Sequence, residues 1–358
     1  DGVFRVQRAA YTDPAVYARE LERVFEGTWV YVALASELPA PHAYLTRPVG
    51  RHGVLLTRDG QGTLHAHLNT CRHRGTVLAP RQAGQARFHV CPYHGWTYDS
   101  AGRCVDVTGA AHGQYPPSFH AESHDLVPVA RLGEYRGFVF VSLNADVPSL
   151  DEHLGDARAL LDLVADQAPA GLECIPGHSG YTFGGNWKLQ FENGLDGYHF
   201  PATHAAFVDI LRGRAARAGV APPATPPQVI SGTLALPRGH AMSWSIGAPG
   251  QGAESRPLAR DAALLDLVRA RVGEARLSWM LRQRNLTIFP NLQIIDIQSL
   301  QLRTWHPLAP DRTRMRSHCL APVGEDPAAR RFRIRQYEEF FNAGGLATAD
   351  DNVMYELG

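Results

Sequence analysis

Two short loops constrain this chain more than any other feature of it. Cys71-Arg72-His73 and Cys91-Pro92-Tyr93-His94 give the spacing C-x-H, then seventeen residues, then C-x-x-H. Each loop offers one thiolate and one imidazole, so the fold has to bring two loop tips to one place. Gly75 and Gly95 follow the loops and let the backbone approach a bound group closely. The flanking sequence consists of short β-branched runs punctuated by Gly: Gly53 to Thr57, Leu64 to Asn69, Arg87 to Cys91, and Gly137 to Val141. Asp99-Ser100-Ala101-Gly102 reads as a hairpin turn between Trp96-Thr97-Tyr98 and Cys104-Val105. A small all-β domain is expected around the two loops.

Two Cys and two His also suit tetrahedral zinc, but a zinc finger usually draws both cysteines from one segment and both histidines from the other. The interleaved order here suits a Rieske [2Fe-2S] cluster, in which two His replace two Cys on one iron and raise the potential. Cys71, His73, Cys91 and His94 are the expected cluster ligands. Tyr93 is placed to donate a hydroxyl to a sulfur and Trp96 to shield the cluster from water. His65, His67 and His89 read as strand residues, and Cys104, Cys174 and Cys319 as small apolar core residues. Five scattered cysteines in 358 residues do not form a secreted disulfide scaffold, which points to a reducing cytoplasm.

A second cluster of chemistry lies between Glu192 and His204, which holds two carboxylates and two imidazoles. Two neutral His plus one carboxylate, with open positions, is the ligand set of oxygen-activating non-haem Fe(II) sites. His199 and His204 stand five apart, about 140° around a straight helix. Pro201 between them should kink or end the helix and let both rings converge. Asp196 precedes His199 by one turn and can orient that ring, while Glu192 is a weaker candidate. The third ligand must be a carboxylate, and spacing leaves Asp209, Asp296, Glu338, Glu339, Asp350, Asp351 and Glu356 all open.

Elsewhere, Asp13-Pro14 reads as a capped helix start, as does Asp326-Pro327 before a helix reaching Phe341. Leu211 to Gly219 reads as helix, Pro222, Pro223, Pro226 and Pro227 as a loop, and Ala259 to Gln283 as one long amphipathic helix. Strand-like runs cover Leu286 to Phe289, Leu292 to Leu302 and Arg314 to Pro322. Lys plus Arg equals Asp plus Glu at 35 each, so no net field draws nucleic acid. No apolar run is long enough to span a membrane, and none is expected to bind one. Starting at Asp1 rather than Met, the chain is expected to be a segment of a longer one.

Together these residues resemble the large (α) subunit of Rieske non-haem iron aromatic-ring-hydroxylating dioxygenases. The resemblance rests on Cys71 to Gly75, Cys91 to Trp96, Asn186-Trp187-Lys188, Glu192-Asn193, Asp196, His199, His204, and Ala343-Gly344-Gly345 followed by Asp350-Asp351. Asn193 to His199, Tyr135 to Phe138, Ser142 to Asp146 and Arg335 to Asn342 are most similar to the benzoate, toluate and anthranilate branch. The resemblance implies an α+β fold: a Rieske domain over 38–149, and a catalytic domain over 150–358 with a helix-grip-like antiparallel sheet flanked by helices. Residues 1–37 would form an N-terminal helix packing with the catalytic domain.

It further implies that Asp351 is the third iron ligand and that Asp196 bridges the first iron histidine to the partner subunit's His94. Electrons would come from NADH through a separate flavin and iron–sulfur reductase, into a three-fold assembly of α subunits with small β subunits. The implied reaction inserts both atoms of dioxygen into an aromatic carboxylate of the benzoate type. The product would be a cis-dihydrodiol or, after loss of a substituent, a catechol. A salicylate-type monooxygenase and a non-catalytic Rieske electron carrier are the alternatives. Asn193 would flank the iron. Phe191, Phe207, Val208, Ile288, Leu292 and Phe341 are pocket candidates, and Arg303 is a candidate partner for the substrate carboxylate.

Overall fold

The structure is a computed structural model, and it describes residues 5–219, 229–246 and 255–358. It divides into two compact units, one of residues 20–150 and one of residues 1–19 with 151–358. The division falls after Arg19, so of the expected N-terminal segment 1–37 only the first part groups with the larger unit. Helices α1 (Ala9–Thr12) and α2 (Pro14–Glu20) open the chain, and Asp13 Oδ1 accepts from Ala15 N at 2.7 Å to start the second. All five cysteines are free thiols.

The smaller unit is a set of antiparallel sheets with a π-helix over Leu21–Phe25 and a short α-helix, α3 (Pro117–His120). Strands β1 (Val30–Leu34), β9 (Arg131–Tyr135) and β10 (Phe138–Ser142) form one sheet with β10 in the middle. Phe138 to Val141 are all at most 1 % exposed, which explains the unbroken apolar run there. Each such side chain contributes roughly 1.5–3 kcal/mol on burial.

Strands β2 (Ala43–Val49), β3 (His52–Arg58), β4 (Leu64–Leu68) and β5 (Ala83–Gln85) form a second sheet. Strands β6 (Phe88–Val90), β7 (Thr97–Asp99) and β8 (Cys104–Asp106) form a third. The expected hairpin is present between β7 and β8, with Tyr98 opposite Cys104 and Gly102 at φ +86.

The larger unit is built on an eight-stranded antiparallel sheet. Its strands are β11 (Leu172–Cys174), β12 (Ser179–Phe183), β13 (Ile230–Ala235), β14 (Ala241–Ile246), β15 (Gln283–Ile288), β16 (Leu292–Asp296), β17 (Leu300–Ala309) and β18 (Arg312–Pro322). The order is β11-β18-β17-β16-β15-β14-β13, with β12 also on β18. Helices α4 (Leu150–Leu154) and α5 (Ala157–Ala165) lead in, and α6 (Trp187–Asn193), α7 (Phe200–Thr203) and α8 (Ala205–Arg217) follow β12. The expected single helix over Ala259–Gln283 is instead α9 (Ala262–Val272) and α10 (Glu274–Met280), broken at Gly273 with φ +79, and Gln283 already starts β15.

Helix α11 (Pro327–Gln336) is capped by Asp326, whose Oδ1 accepts from Ala328 N and Ala329 N. It runs on as a π-helix over Tyr337–Phe341, and α12 (Thr348–Leu357) closes the described chain. The proline-rich loop expected after Gly219 lies outside the described residues. No helix among the described residues is long and apolar enough to cross a membrane.

Side chains alternate between the two faces of this sheet. On one face Arg284 and Asp296 pair across β15 and β16, and Asp296 Oδ2 accepts from Gln167 Nε2 at 2.9 Å just beyond α5. On the other, Ser243 Oγ donates to Gly194 O at 3.1 Å, Gln190 Nε2 donates to Gln293 Oε1 at 3.2 Å, and Trp305 meets Phe191. The second face therefore lies under the α6 segment, where the histidine motif begins.

Candidate metal centres

In the smaller unit the two motif loops are near copies. Gly75 N donates to Cys71 O and Gly95 N to Cys91 O, each at 3.0 Å, and both glycines have positive φ, +73 and +76. A side chain at either position would be strained, which is why Gly ends each turn. Cys71 and Cys91 are buried at 3 %, whereas His73 is exposed and His94 half-buried, with ring centroids 4.5 Å apart. The cysteines thus point inward and the imidazoles outward.

Donors on a single zinc sit about 3.3–3.8 Å apart, given bonds of about 2.0–2.3 Å. Among the described residues, no three of these four offer ligand atoms within 4.8 Å of one another. The donor set therefore fits a larger group with a cysteine end and a histidine end, not one tetrahedral ion.

The residues around the loops differ from expectation at one point. Tyr93 is 55 % exposed, and its hydroxyl accepts from Arg74 Nη1 at 3.2 Å rather than meeting a sulfur. The hydroxyl that does so belongs to Tyr98, fully buried, 3.3 Å from Cys71 Sγ and accepting from Arg72 N at 3.1 Å. Burial and the Cys71 contact push the Tyr98 phenol well above its usual range, so it stays a donor. Trp96 is buried and stacks on His73 at 5.0 Å. His67 and His89 lie inside strands β4 and β6.

In the larger unit the chain breaks earlier than the Pro201 reading implied. Helix α6 ends at Asn193, a turn follows, and Pro201 sits in the first turn of the short α7, where its missing N–H costs nothing. His199 precedes α7 and His204 separates it from α8, which brings the two ring centroids to 5.4 Å. Asp351, on the first turn of α12, completes the group: its Oδ1 lies 3.2 Å from His204 Nε2 and 3.7 Å from His199 Nε2. Donors on one metal with bonds of about 2.1 Å and angles near 90–120° stand about 3.0–3.6 Å apart. Two imidazoles and one carboxylate at these separations fit a mononuclear ion, and the donor chemistry fits non-haem iron.

Several of the other carboxylates are committed elsewhere. Asp209 pairs with Arg212, Asp296 with Arg284 and Arg256, and Glu339 with Arg214 and Arg335. Glu356 Oε1 accepts from Gly184 N, and Glu192 Oε1 accepts from Tyr11 Oη at 2.6 Å. Asp350 has a role that the sequence did not reveal. Its Oδ2 lies 3.4 Å from His204 Nδ1, so the adjacent acids reach both nitrogens of one ring. Burial lowers the pKa of His204, but the hydrogen bonds it donates to Asp351 and then Asp350, with their charges, outweigh that and leave it raised.

Asn193 Nδ2 lies 3.3 Å from His199 Nε2 and 3.2 Å from Asp351 Oδ1. Asp196 Oδ2 is 3.4 Å from His199 Nδ1 without hydrogen-bond alignment, and its Oδ1 accepts from Tyr198 N at 2.6 Å.

Of the pocket candidates, Phe207 and Phe341 share an apolar cluster with Ile295, Cys319, Tyr337 and Phe340, and Phe340 lies 6.2 Å from the His204 ring. Val208 is half-buried beside Phe207, and Phe191 packs on Phe289 and Trp305. Ile288 and Leu292 are not brought here. They pair with each other in the Arg284–Asp296 parity, on the opposite face of the sheet. Arg303 reaches the right face, but its Nη2 is taken up by Phe341 O at 3.2 Å and Thr348 Oγ1 at 2.6 Å.

The two units also match known families in order. Residues 28–120 match the Rieske [2Fe-2S] domain, and residues 175–357 match the ring hydroxylating alpha subunit catalytic domain. The chain belongs to the large-subunit family of ring-hydroxylating dioxygenases. Toluate 1,2-dioxygenase subunit alpha of Pseudomonas putida is 40% identical, over 98% of this chain and 77% of that one. The 2-halobenzoate 1,2-dioxygenase large subunit of Burkholderia cepacia is 39% identical, over 98% and 75%. The anthranilate 1,2-dioxygenase large subunit of Acinetobacter baylyi is 39% identical, over 99% and 77%.

Among solved structures, naphthalene 1,2-dioxygenase from Rhodococcus sp. bound to indole superposes with a TM-score of 0.84 at 29% identity, covering 98% of this chain and 80% of that one. This large subunit is thus an oxygenase with a Rieske domain for a [2Fe-2S] cluster and a catalytic domain for mononuclear iron.

Proposed function

We propose that this large subunit is the terminal oxygenase component that dihydroxylates an aromatic carboxylate of the benzoate type. The observation that carries the reading is the convergence of His199, His204 and Asp351 in a chain that also holds the two Cys/His loops. Cys71 and Cys91 would hold one iron of the cluster and His73 and His94 the other, while His199, His204 and Asp351 would hold the mononuclear iron. When bound, that iron supplies the activation of dioxygen, and the cluster supplies single electrons.

The chain's own residues then have separate tasks. Asp350 fixes the orientation of the His204 ring through Nδ1, and Asp196 places a negative charge 3.4 Å from His199 Nδ1 without a formed hydrogen bond. Asn193 places an amide against the carboxylate of Asp351. Phe207, Phe340 and Phe341 form an apolar wall beside the histidines that favours a flat ring and excludes water.

The substrate class is supported by the toluate, 2-halobenzoate and anthranilate enzymes among the relatives. We further assign small β subunits, a flavin and iron–sulfur reductase fed by NADH, and a cytoplasmic setting. The deciding experiment is substrate-dependent NADH and oxygen consumption, with the cognate reductase, across a panel of ortho-substituted benzoates. Labelled dioxygen should leave both atoms in the product. One atom would make the enzyme a monooxygenase, and no consumption with any ring acid would remove the substrate assignment.

A further inference from the structure

Arg303 is 3 % exposed, and no described carboxylate forms an ion pair with it. Burying an unpaired guanidinium costs several kcal/mol, so its contacts need a reason. They converge on one carbonyl. Phe341, the last residue of the π-helix, accepts at its oxygen from Gln301 Nε2 at 3.2 Å, Arg303 Nη2 at 3.2 Å and Thr348 Oγ1 at 3.0 Å. Arg303 Nη2 also donates to Thr348 Oγ1 at 2.6 Å, closing a triangle. Gln301 and Thr348 are buried at 0 % and 1 %.

Thr348 is the first residue of α12, and Asp351 follows three residues later on the same side of the helix. Both Arg303 and Asp351 act electrostatically on the buried phenols of Tyr181 and Tyr355, which places the guanidinium in the carboxylate's neighbourhood. The turn between Phe341 and Thr348 is closed by backbone bonds from Gly345 N to Asn342 O, Leu346 N to Glu339 O and Ala347 N to Phe340 O, at 2.8, 2.8 and 3.1 Å, which tie α12 to the π-helix. Gln301 and Arg303 add a tie from strand β17 to the Phe341 carbonyl at the head of that turn.

We propose that Arg303 is a positioning residue for Asp351, holding the start of α12 to strand β17 through Phe341 O and Thr348 Oγ1. The inference rests on the reading that Asp351 is a metal ligand. Both contacts come from one nitrogen, Nη2, so an ammonium that reaches the same point keeps part of the tie and a methionine keeps none. Supporting residues of this kind change metal affinity by about 10–100-fold when removed.

The test is Co(II) affinity, by anaerobic titration calorimetry, of the full-length protein that retains its cluster but has been depleted of mononuclear iron. Arg303→Met should weaken Co(II) binding by about 10–100-fold while the cluster spectrum is unchanged. Arg303→Lys should fall between that variant and the wild type. Thr348→Val removes only the hydroxyl and should weaken binding in the same direction, so the proposal stays testable if Arg303→Met does not fold.

Asp351→Ala separates the two layers of the argument. If Asp351→Ala weakens binding but Arg303→Met and Thr348→Val leave it unchanged, the positioning role is overturned and the ligand reading stands. If Asp351→Ala itself leaves binding unchanged, the ligand reading fails.

Discussion

Asp351 Oδ1 stands 3.2 Å from His204 Nε2, although one residue follows α7 and the other lies on the last helix. The contact joins the two ends of the catalytic unit through a single carboxylate. Removing it should leave the cluster loops untouched. Asp351→Ala is expected to lower the iron content to about the two atoms of a [2Fe-2S] cluster, with the cluster's visible spectrum retained and turnover abolished. Full iron content by elemental analysis would place the ligand elsewhere.

Tyr98 makes the corresponding prediction for the cluster. Its hydroxyl 3.3 Å from Cys71 Sγ stabilises the more negative, reduced state. A hydrogen bond worth about 1 kcal/mol more in that state corresponds to about 40 mV for one electron. Tyr98→Phe should lower the midpoint potential by roughly that amount in film voltammetry, while Tyr93→Phe should not. Equal shifts in both variants would contradict the assignment.

How far these sites were legible depends on how local the signal is. The two matching Cys/His loops could be read because each carries its own Cys, His and Gly within a few residues. His199 and His204 could be read for the same reason, although the helix break lies before Tyr198 and not at Pro201. Asp351 could not be picked by spacing, because seven carboxylates were open and only the packing of α12 selects one. Ile288 and Leu292 failed as pocket residues because apolar character does not reveal which face of a strand is turned to the metal. Tyr98 was overlooked in favour of Tyr93 because proximity in sequence to Cys91 says nothing of a hairpin folding back on Cys71.

Gly194 tests how tightly the sheet supports the motif. Its φ of −66 is ordinary, so the requirement is space and not conformation. A Cβ there would overlap the Gln293 amide, which is fully buried and held by Gln190. Gly194→Ala should destabilise the protein by about 1–3 kcal/mol, and Gln293→Ala in the same chain should recover part of it. A double variant no more stable than the single one, by thermal melt, would show that the clash lies elsewhere.

His153 and His240 predict an acid limb for the catalytic unit. Their rings meet at 4.9 Å, 5 % and 1 % exposed, and His240 Nδ1 accepts from Phe289 N at 3.0 Å. Burial, then the neighbouring imidazole, brings His153 down to about 4, and burial lowers His240 too. A folded pKa below the unfolded value favours the neutral ring. The stability it contributes is present above about pH 6.5 and is lost as pH falls toward the folded pKa. From neutral pH to pH 5 the His153 share is up to about 2 kcal/mol. His153→Gln should flatten the fall of Tm over that range, and an unchanged slope would assign the acid limb to other groups.

Asp196 has a side chain 48% exposed and stands next to the almost fully exposed Tyr198. One carboxylate oxygen is anchored by Tyr198 N, and the other faces His199 Nδ1, whose Nε2 faces Asp351. The carboxylate therefore connects an open surface to a ring that reaches the metal donors, which suits the electron path that the resemblance implies for Asp196. Asp196→Asn keeps the size and the anchoring carbonyl but loses the charge that faces the ring. The variant should retain cluster and mononuclear iron and lose about 10–100-fold in turnover. Reduction of the cluster by the reductase should be normal, and its reoxidation with substrate and dioxygen present should slow by the same factor. Fast reoxidation in that variant would remove Asp196 from the electron path.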